Sequence, residues 1–175
     1  MSQADLPPQR RVVAAHNEQG ISSIVNDGKL EAKELELAPG TRIAPIWKIM
    51  DALPTKDNSN KEDGAARVIP VSEGYGLVPS NGSNLQTTEL APGTITPMHR
   101  TSSIDYDILL EGEVVLIMED GSETLVKNVG DVVVMKGALH AWKNPSATKW
   151  CRFISILTVA EPAIVNGKAL EPEFL

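Results

Sequence analysis

Two short segments of this chain hold the side chains best suited to chemistry. Residues 93–112 contain His99 and Asp105, and residues 130–144 contain His140. Glycines flank both segments, and apolar residues surround each histidine. Imidazole and carboxylate groups carried by neighbouring strands suit either a metal site or an acid/base site.

The alternation of side chains along a strand predicts which of these groups share a face. Side chains two residues apart point the same way, so His99, Thr101 and Asp105 are expected on one face. Asp107 is expected on that face as well and could replace Asp105 if the register differs. His140 comes from a separate strand end and would close the site.

Groups of this kind support more than one chemistry, and the residues alone leave the choice open. Two histidines and a carboxylate form a facial triad that suits Fe(II), and Zn, Mn or Ni could use the same atoms. Without a metal, an aspartate beside two histidines in an apolar pocket would have a shifted pKa and could move protons. In a third, structural interpretation His140 hydrogen-bonds a turn, and His99 is a core histidine whose hydrogen bonds are satisfied. Asp105 would then hold a backbone amide, Arg100 or Arg152.

The elements that must position these groups are short β-strands. Asn-Asp-Gly, Ala-Pro-Gly and Glu-Asp-Gly turn signals separate β-rich runs, and no long stretch shows helical periodicity. Many short strands at regular spacing predict an all-β sandwich or barrel. The predicted strands are 11–15, 22–26, 33–37, 84–90, 107–110, 113–118, 124–126, 131–135 and 150–159.

Length and charge exclude several classes of function. A chain of 175 residues fits one domain with a substantial core. Its 16 basic against 23 acidic residues argue against nucleic-acid binding, which relies on clustered Lys and Arg. No apolar run approaches the ~20 residues of a membrane span. The sequence also lacks a Gly-rich phosphate loop and a Gly-x-Ser-x-Gly acyl-transfer motif.

The cellular compartment is predicted from the N-terminus and the cysteine content. Residues 1–8 lack the charged start and apolar stretch of a secretory signal. Cys151 is the single cysteine, so an internal disulfide cannot form. We therefore expect a cytoplasmic protein.

One domain in three parts is the predicted organisation. Residues 1–80 would supply N-terminal strands that complete or extend a barrel, and residues 81–160 would form its core. The polar stretch 51–66 predicts a mobile loop near a pocket mouth. Residues 161–175 are expected to form an extended tail that frays or packs on a neighbouring subunit.

The spacing of the first segment is similar to a known family motif. That motif is a glycine, five residues, His-x-His, three or four residues, Glu, six residues and Gly. Gly93 and His99 match its start, Asp105 falls on the Glu position, and Gly112 matches its end. Thr101 stands where the second histidine is expected.

The second segment resembles the partner motif of the same family, the cupins. Gly130, His140 and Asn144 match, whereas Lys136 replaces a proline and the turn is one residue shorter. The resemblance covers residues 85–159 well and looks most like small single-domain cupins of fungi and bacteria. Some of these are encoded near polyketide or other secondary-metabolite enzymes.

The resemblance implies a fold and a metal site. The fold would be a six-to-eight-strand jelly-roll barrel with N-terminal extra strands, few short helices and a site in the barrel mouth. His99, Asp105 and His140 would face a divalent metal, with Thr101 offering a hydroxyl. Small cupins are often homodimers in which N-terminal strands add to the partner's sheet, so we expect a homodimer.

A small, partly apolar substrate, such as a polyketide-like or aromatic carbonyl compound, is expected in this cavity. His99, Asp105 and His140 would act as the catalytic groups in isomerisation, cyclisation, decarboxylation or oxygenation. Thr101 and Tyr106 would orient the substrate, and Trp142 and Trp47 would belong to the pocket wall or the core. Together with the three catalytic groups, these four residues make up the predicted site. A non-catalytic ligand-binding cupin and a barrel with a decayed site are the alternatives.

Overall fold

The computed structural model describes residues 6–16 and 22–175. This part of the chain forms fifteen strands and three 3-10 helices of three residues each, and none of these helices is long and apolar enough to cross a membrane. Residues 1–5, on which the expectation of no secretory signal largely rests, lie outside the described residues. The strands are β1 Gln9–His16, β2 Ser22–Leu30, β3 Lys33–Glu34, β4 Thr41–Ile49, β5 Ser83–Leu90, β6 His99–Arg100, β7 Ser103–Glu111, β8 Val114–Met118, β9 Glu123–Val126, β10 Val132–Lys136, β11 His140–Lys143, β12 Cys151–Val159, β13 Ile164–Val165, β14 Lys168–Ala169 and β15 Glu173–Phe174, and the 3-10 helices are Asp57–Ser59, Gly64–Ala66 and Gly74–Gly76.

Two antiparallel sheets make up the body of the fold. The six-stranded sheet has the order β10-β7-β12-β5-β4-β3, and the five-stranded sheet has the order β15-β6-β11-β8-β9. Two further hairpins, β1-β2 and β13-β14, form small sheets of their own. The all-β prediction is confirmed.

The hydrophobic core lies between the two sheets. Leu109 and Phe153 come from the six-stranded sheet, and Leu116 and Trp142 come from the five-stranded sheet. The rings of Trp142 and Phe153 lie 5.1 Å apart between their centroids, so the sheets pack face to face. Burying each such side chain stabilises the fold by about 1.5–3 kcal/mol.

Strand β4 is absent from the sequence-based prediction, and Pro45 lies in the middle of it. Proline cannot donate a ladder hydrogen bond and argues against an interior strand. The structure accommodates it because the pairing with β5 shifts register between Pro45 and Trp47. On the other edge, β3 pairs only with Arg42 and Ile43, so Pro45 needs no donor there.

The predicted loop 51–66 contains two of the 3-10 helices and is tied to β4. Asp57 accepts a hydrogen bond from Trp47 Nε1 at 2.6 Å and two from the guanidinium of Arg67. The hydrogen bond from Arg67 is the main reason that the pKa of Asp57 is lowered. Asp63 pairs in the same way with Arg11 of β1.

The C-terminal tail packs on its own domain. Glu173 and Phe174 of β15 pair with Arg100 and His99 of β6, which makes the tail an edge strand of the five-stranded sheet. The backbone N–H of Leu175 donates to the carbonyl of Met98 at 2.8 Å. The edge of β6 offers the tail unpaired backbone groups, whereas the sequence-based expectation was a tail that frays or packs on a neighbouring subunit.

Candidate functional site

Two adjacent strands bring His99 and His140 together. His99 begins β6, His140 begins β11, and the two residues are direct antiparallel partners. Their ring centroids lie 4.4 Å apart with an angle of 49° between the planes. Residues that are far apart along the chain thus present two imidazoles side by side.

Each imidazole is held by a carbonyl two residues before it. His99 Nδ1 lies 3.0 Å from the carbonyl oxygen of Pro97, and His140 Nδ1 lies 2.9 Å from that of Ala138. A carbonyl oxygen only accepts hydrogen bonds, so each neutral ring carries its proton on Nδ1. Both Nε2 atoms therefore keep a free lone pair.

Burial keeps both rings neutral near pH 7. It lowers the pKa of His99, partly offset by the hydrogen bond to Pro97. Burial and the neighbouring His99 lower the pKa of His140 to about 4. The pair is therefore a set of proton acceptors at neutral pH, with no charge of its own.

Two buried carboxyl groups lie on the other sheet. Asp105 and Asp107 are both on the inner face of β7. Burial raises the pKa of Asp105 to about 6, although Ser103 opposes this by hydrogen bonding. Burial raises the pKa of Asp107 to about 7, with a hydrogen bond from Ser155 opposing and the charge of Asp105 adding to the rise.

One cavity joins the histidines to the carboxyl groups. It has a volume of about 70 Å³, lies between the two sheets and is partly open to solvent, so a ligand larger than this volume can extend through its mouth. Apolar side chains make up much of its wall, so a small and partly apolar molecule suits it. The lining residues are Leu35, Ala38, Thr41, Ile43, Leu77, Gln86, Thr88, Thr96, Pro97, His99, Thr101, Asp105, Asp107, His140, Trp142, Phe153, Ser155, Leu157 and Phe174.

The chain crosses between the sheets inside the first motif, which changes the expected arrangement. Strand β6 ends at Arg100 in the five-stranded sheet, and β7 begins at Ser103 in the six-stranded sheet. Alternation along one continuous strand therefore does not relate His99 to Asp105. Both still line the cavity, but they reach it from different sheets.

The remaining predicted residues divide into two groups. Thr101 and Trp142 line the cavity, and the Thr101 hydroxyl lies 2.8 Å from that of Ser103. Tyr106 is 42% exposed because it lies on the outer face of β7. Trp47 is bound to Asp57 instead of reaching the cavity. The structure does not bring Tyr106 or Trp47 to the site.

Gln86, Ser155 and Phe174 are among the cavity residues that were not anticipated from the sequence. Gln86 and Ser155 lie on strands that were predicted, and alternation with their neighbours could have shown that they face inward. Phe174 contacts the His99 ring, with 5.6 Å between centroids. No local pattern indicates this contact, because it depends on where the tail docks.

The predicted metal ligands do not fit a three-ligand site as they are placed. Among residues 6–16 and 22–175, no group of three His, Cys, Asp or Glu side chains is arranged to hold a metal ion. His99 and His140 offer two nitrogen donors from one sheet, whereas Asp105 belongs to the other. The assignment of His99, Asp105 and His140 as metal ligands stays a prediction.

Comparison with known proteins gives related sequences and folds, although no family model matches the chain. Phomopsin biosynthesis cluster protein D of Diaporthe leptostromiformis is 30% identical over 95% of this chain and 86% of that protein. The cupin-domain-containing oxidoreductase virC of Hypocrea virens is 36% identical over 49% of this chain and 45% of that protein. The polyketide cyclase RemF of Streptomyces resistomycificus superposes with a TM-score of 0.52 and 15% identity, over 83% of this chain and 80% of that one.

These relatives and the two-sheet fold define the class of the protein. The chain belongs to the cupin superfamily, as its motifs indicated. Within that superfamily it is a small cupin of the kind found in fungal secondary metabolism. The likeness to RemF shows the fold alone.

Proposed function

We propose that this cupin is an enzyme that transfers protons on a small, partly apolar carbonyl compound of secondary metabolism. One observation carries the proposal: two imidazoles with free Nε2 atoms and two buried carboxyl groups line the same cavity from opposite sheets. Isomerisation and cyclisation of such compounds both begin with the removal of a proton beside a carbonyl group. A positioned base and acid accelerate that step.

The two walls of the cavity take different roles. His99 and His140 are the base side, because their Nε2 lone pairs accept a proton from carbon. Asp105 is the acid side, because a carboxyl whose pKa is about 6 still carries its proton in a fraction of molecules near neutral pH. Thr101 and Trp142 shape the space in which the substrate lies.

A test that does not need the natural substrate follows the exchange of protons between a probe ketone and the solvent. The methyl protons of acetophenone in D₂O, observed by proton NMR, report removal of a proton beside a carbonyl. We expect the wild-type protein to accelerate exchange and the variants His99→Gln and His140→Gln to lose most of that acceleration. The variant Thr87→Val is a matched control, since Thr87 lies on β5 but outside the cavity lining. A wild-type protein that binds acetophenone without exchange would instead support a non-catalytic binding module.

Metal-dependent oxidoreduction is the second candidate. The name of the virC relative favours it, as does the hydrogen bond at each Nδ1, which is how metal-binding histidines are commonly oriented. Elemental analysis of protein purified without chelator tests it. This candidate predicts about one Fe, Zn, Mn or Ni per chain, lost in both His99→Ala and His140→Ala. A metal-free protein that catalyses exchange would favour proton transfer by the side chains.

We also propose that the protein is a homodimer that uses the outer face of the six-stranded sheet. Val132 and Val134 of β10 are 53% and 56% exposed, and Tyr106 of β7 lies beside them in register with Val134. An exposed apolar patch of this kind suits association with a second copy. Light scattering after size-exclusion chromatography should give twice the 18.8 kDa chain mass, and Val134→Lys should shift it toward the monomer.

A further inference from the structure

A polar row crosses the six-stranded sheet opposite the two histidines. Gln86 of β5, Ser155 of β12 and Asp107 of β7 are direct partners in register. All three are buried and line the cavity. Burying a polar group without a hydrogen-bond partner is costly, so each side chain of the row is expected to have such a partner.

Ser155 and Asp107 are hydrogen-bond partners of each other. The hydroxyl of Ser155 donates to Asp107 Oδ1 at 2.6 Å. Gln86 is different, because its partner comes from its own strand. Asn84 Nδ2 donates to Gln86 Oε1 at 2.9 Å.

A backbone carbonyl fixes which way the Gln86 amide points. Asn84 Nδ2 also donates to the carbonyl oxygen of Leu77 at 2.9 Å. That oxygen can only accept, so Asn84 must present its NH₂ group, and Gln86 must present its oxygen to Asn84. The NH₂ group of Gln86 is then left with no hydrogen-bond partner among the described residues, although its side chain lines the cavity.

We propose that Gln86 Nε2 binds the carbonyl oxygen of the substrate and stabilises the negative charge that forms on it. This inference rests on the proposed function. It narrows the substrate to an enolisable ketone or aldehyde, with its oxygen toward the polar row and its acidic C–H toward His99 and His140.

The chemical step balances without any further reactant. A histidine Nε2 takes the proton, the C–H electron pair forms a C=C bond, and the carbonyl π pair moves onto oxygen. The charge on that oxygen grows during the step, so a donor placed beside it stabilises the transition state more than the bound ketone. Gln86 should therefore affect kcat more than KM.

Two variants of Gln86 test this role. Gln86→Met removes the donor while keeping the length of the side chain, and Gln86→Glu replaces the NH₂ group with oxygen. We expect each variant to lower kcat for acetophenone exchange by about tenfold to a hundredfold. This is somewhat less than the loss of about a hundredfold to a thousandfold that follows removal of one oxyanion-hole donor. Thr87→Val should keep the wild-type rate, and thermal unfolding monitored by circular dichroism identifies any variant that fails to fold.

A binding comparison separates this inference from the proposed function. α-Methylstyrene has the shape of acetophenone with CH₂ in place of the carbonyl oxygen, and tryptophan fluorescence can report both affinities because Trp142 lines the cavity. Loss of a hydrogen bond to the carbonyl should weaken acetophenone binding by about threefold in Gln86→Met, which is less than the loss in kcat, and should leave α-methylstyrene binding unchanged.

The exchange and binding measurements test the role of Gln86 separately from the proposed function. If folded Gln86→Met and Gln86→Glu exchange and bind acetophenone as the wild type does, the role of Gln86 is overturned and the proposed function stands. If wild-type exchange equals that of the histidine variants, the proposed function fails. A loss of affinity for acetophenone alone in Gln86→Met would then still show that Gln86 binds the carbonyl oxygen. Equal losses of affinity for acetophenone and α-methylstyrene would contradict that role.

Discussion

The pKa of Asp107 shows how strongly the cavity changes the titration of a single side chain. Burial is the main cause that raises its pKa to about 7. The Asp107 carboxyl of the folded protein therefore keeps its proton over a pH range in which the same carboxyl of the unfolded chain has lost it. The stabilising effect of that proton is complete below about pH 4 and is lost as the pH rises toward 7. His140 acts in the opposite direction, because its pKa falls to about 4 and stability rises with pH over the same range.

Asp107→Asn isolates the effect of the carboxyl group from that of His140. The amide keeps the shape of the side chain but does not titrate. The free energy of unfolding of the wild type should therefore fall relative to this variant between pH 4 and pH 7, by about 1 to 4 kcal/mol. Urea unfolding at several pH values measures the difference, and parallel profiles would show that Asp107 titrates normally.

Asp105 and His99 also show how far residue types and spacing can predict a site. The motif spacing identified both as cavity residues, and both line the cavity. Their relative placement could not be obtained from alternation, because the chain passes from one sheet to the other between Arg100 and Ser103. Gln86 was missed because its role depends on Asn84 and on the carbonyl of Leu77.

Turn glycines set the geometry at the scale of elements. Gly112 lies between β7 and β8 with φ +77°, and a Cβ there would lie 2.8 Å from the carbonyl oxygen of Trp150. Gly130 has φ +91°, but a Cβ there would meet nothing within 4 Å. Both positions disfavour a side chain, and only Gly112 also lacks the space.

Alanine at these two glycines should therefore have unequal effects. Gly130→Ala should lower the free energy of unfolding by about 1 kcal/mol, through backbone strain alone. Gly112→Ala should lower it by about 2 to 4 kcal/mol, because Trp150 and Cys151 must also move. Chemical denaturation of both variants gives the comparison, and equal losses would mean that the contact at Gly112 relaxes freely.

Strand β15 covers one side of the site. The ring of Phe174 packs against His99 and Tyr75, with centroid distances of 5.6 and 5.3 Å. Phe174→Ala should open the cavity and increase quenching of tryptophan fluorescence by acrylamide, at a cost of about 1 to 3 kcal/mol in stability. Leu175→Ala is the control, since Leu175 is 68% exposed. Unchanged quenching in Phe174→Ala would show that the tail does not limit access.

The short strands explain why the elements were harder to predict than the fold class. Strands β6 and β11, which carry the two histidines, have two and four residues, so they offer little periodicity. Strand β4 contains a proline that argues against it. Strands β5 and β12 were predicted almost in full, at 84–90 and 150–159. Of β7 only residues 107–110 were predicted, because Ser103, Asp105 and Asp107 interrupt its apolar residues.

A buried ion pair links the six-stranded sheet to the N-terminal segment of the molecule. Arg152 Nε donates to Glu89 Oε1 at 2.8 Å, and Arg152 Nη2 donates to the carbonyl of Pro7 at 2.6 Å. Both side chains of the pair are buried on the face of the sheet that points away from the cavity. Removing one partner would leave a buried charge without compensation.

Glu89→Gln should therefore destabilise the protein by about 3 to 5 kcal/mol. Asp27→Asn breaks the ion pair between Asp27 and Arg10, in which both side chains are largely exposed, and should change stability little. Guanidinium chloride unfolding of the two variants checks the contrast. Similar small losses in both would indicate that water reaches Arg152 and replaces Glu89.

The central claim is that the fold presents two neutral histidines with free Nε2 atoms to one cavity. Long-range ¹H–¹⁵N correlation NMR of imidazole-labelled protein tests it most directly, because the ring nitrogens report both tautomer and charge. We predict that His99 and His140 carry their protons on Nδ1 at pH 7, and that His140 stays neutral down to about pH 5, since its pKa is about 4. Protons on Nε2, or an ordinary titration of His140 near pH 6.5, would contradict the account.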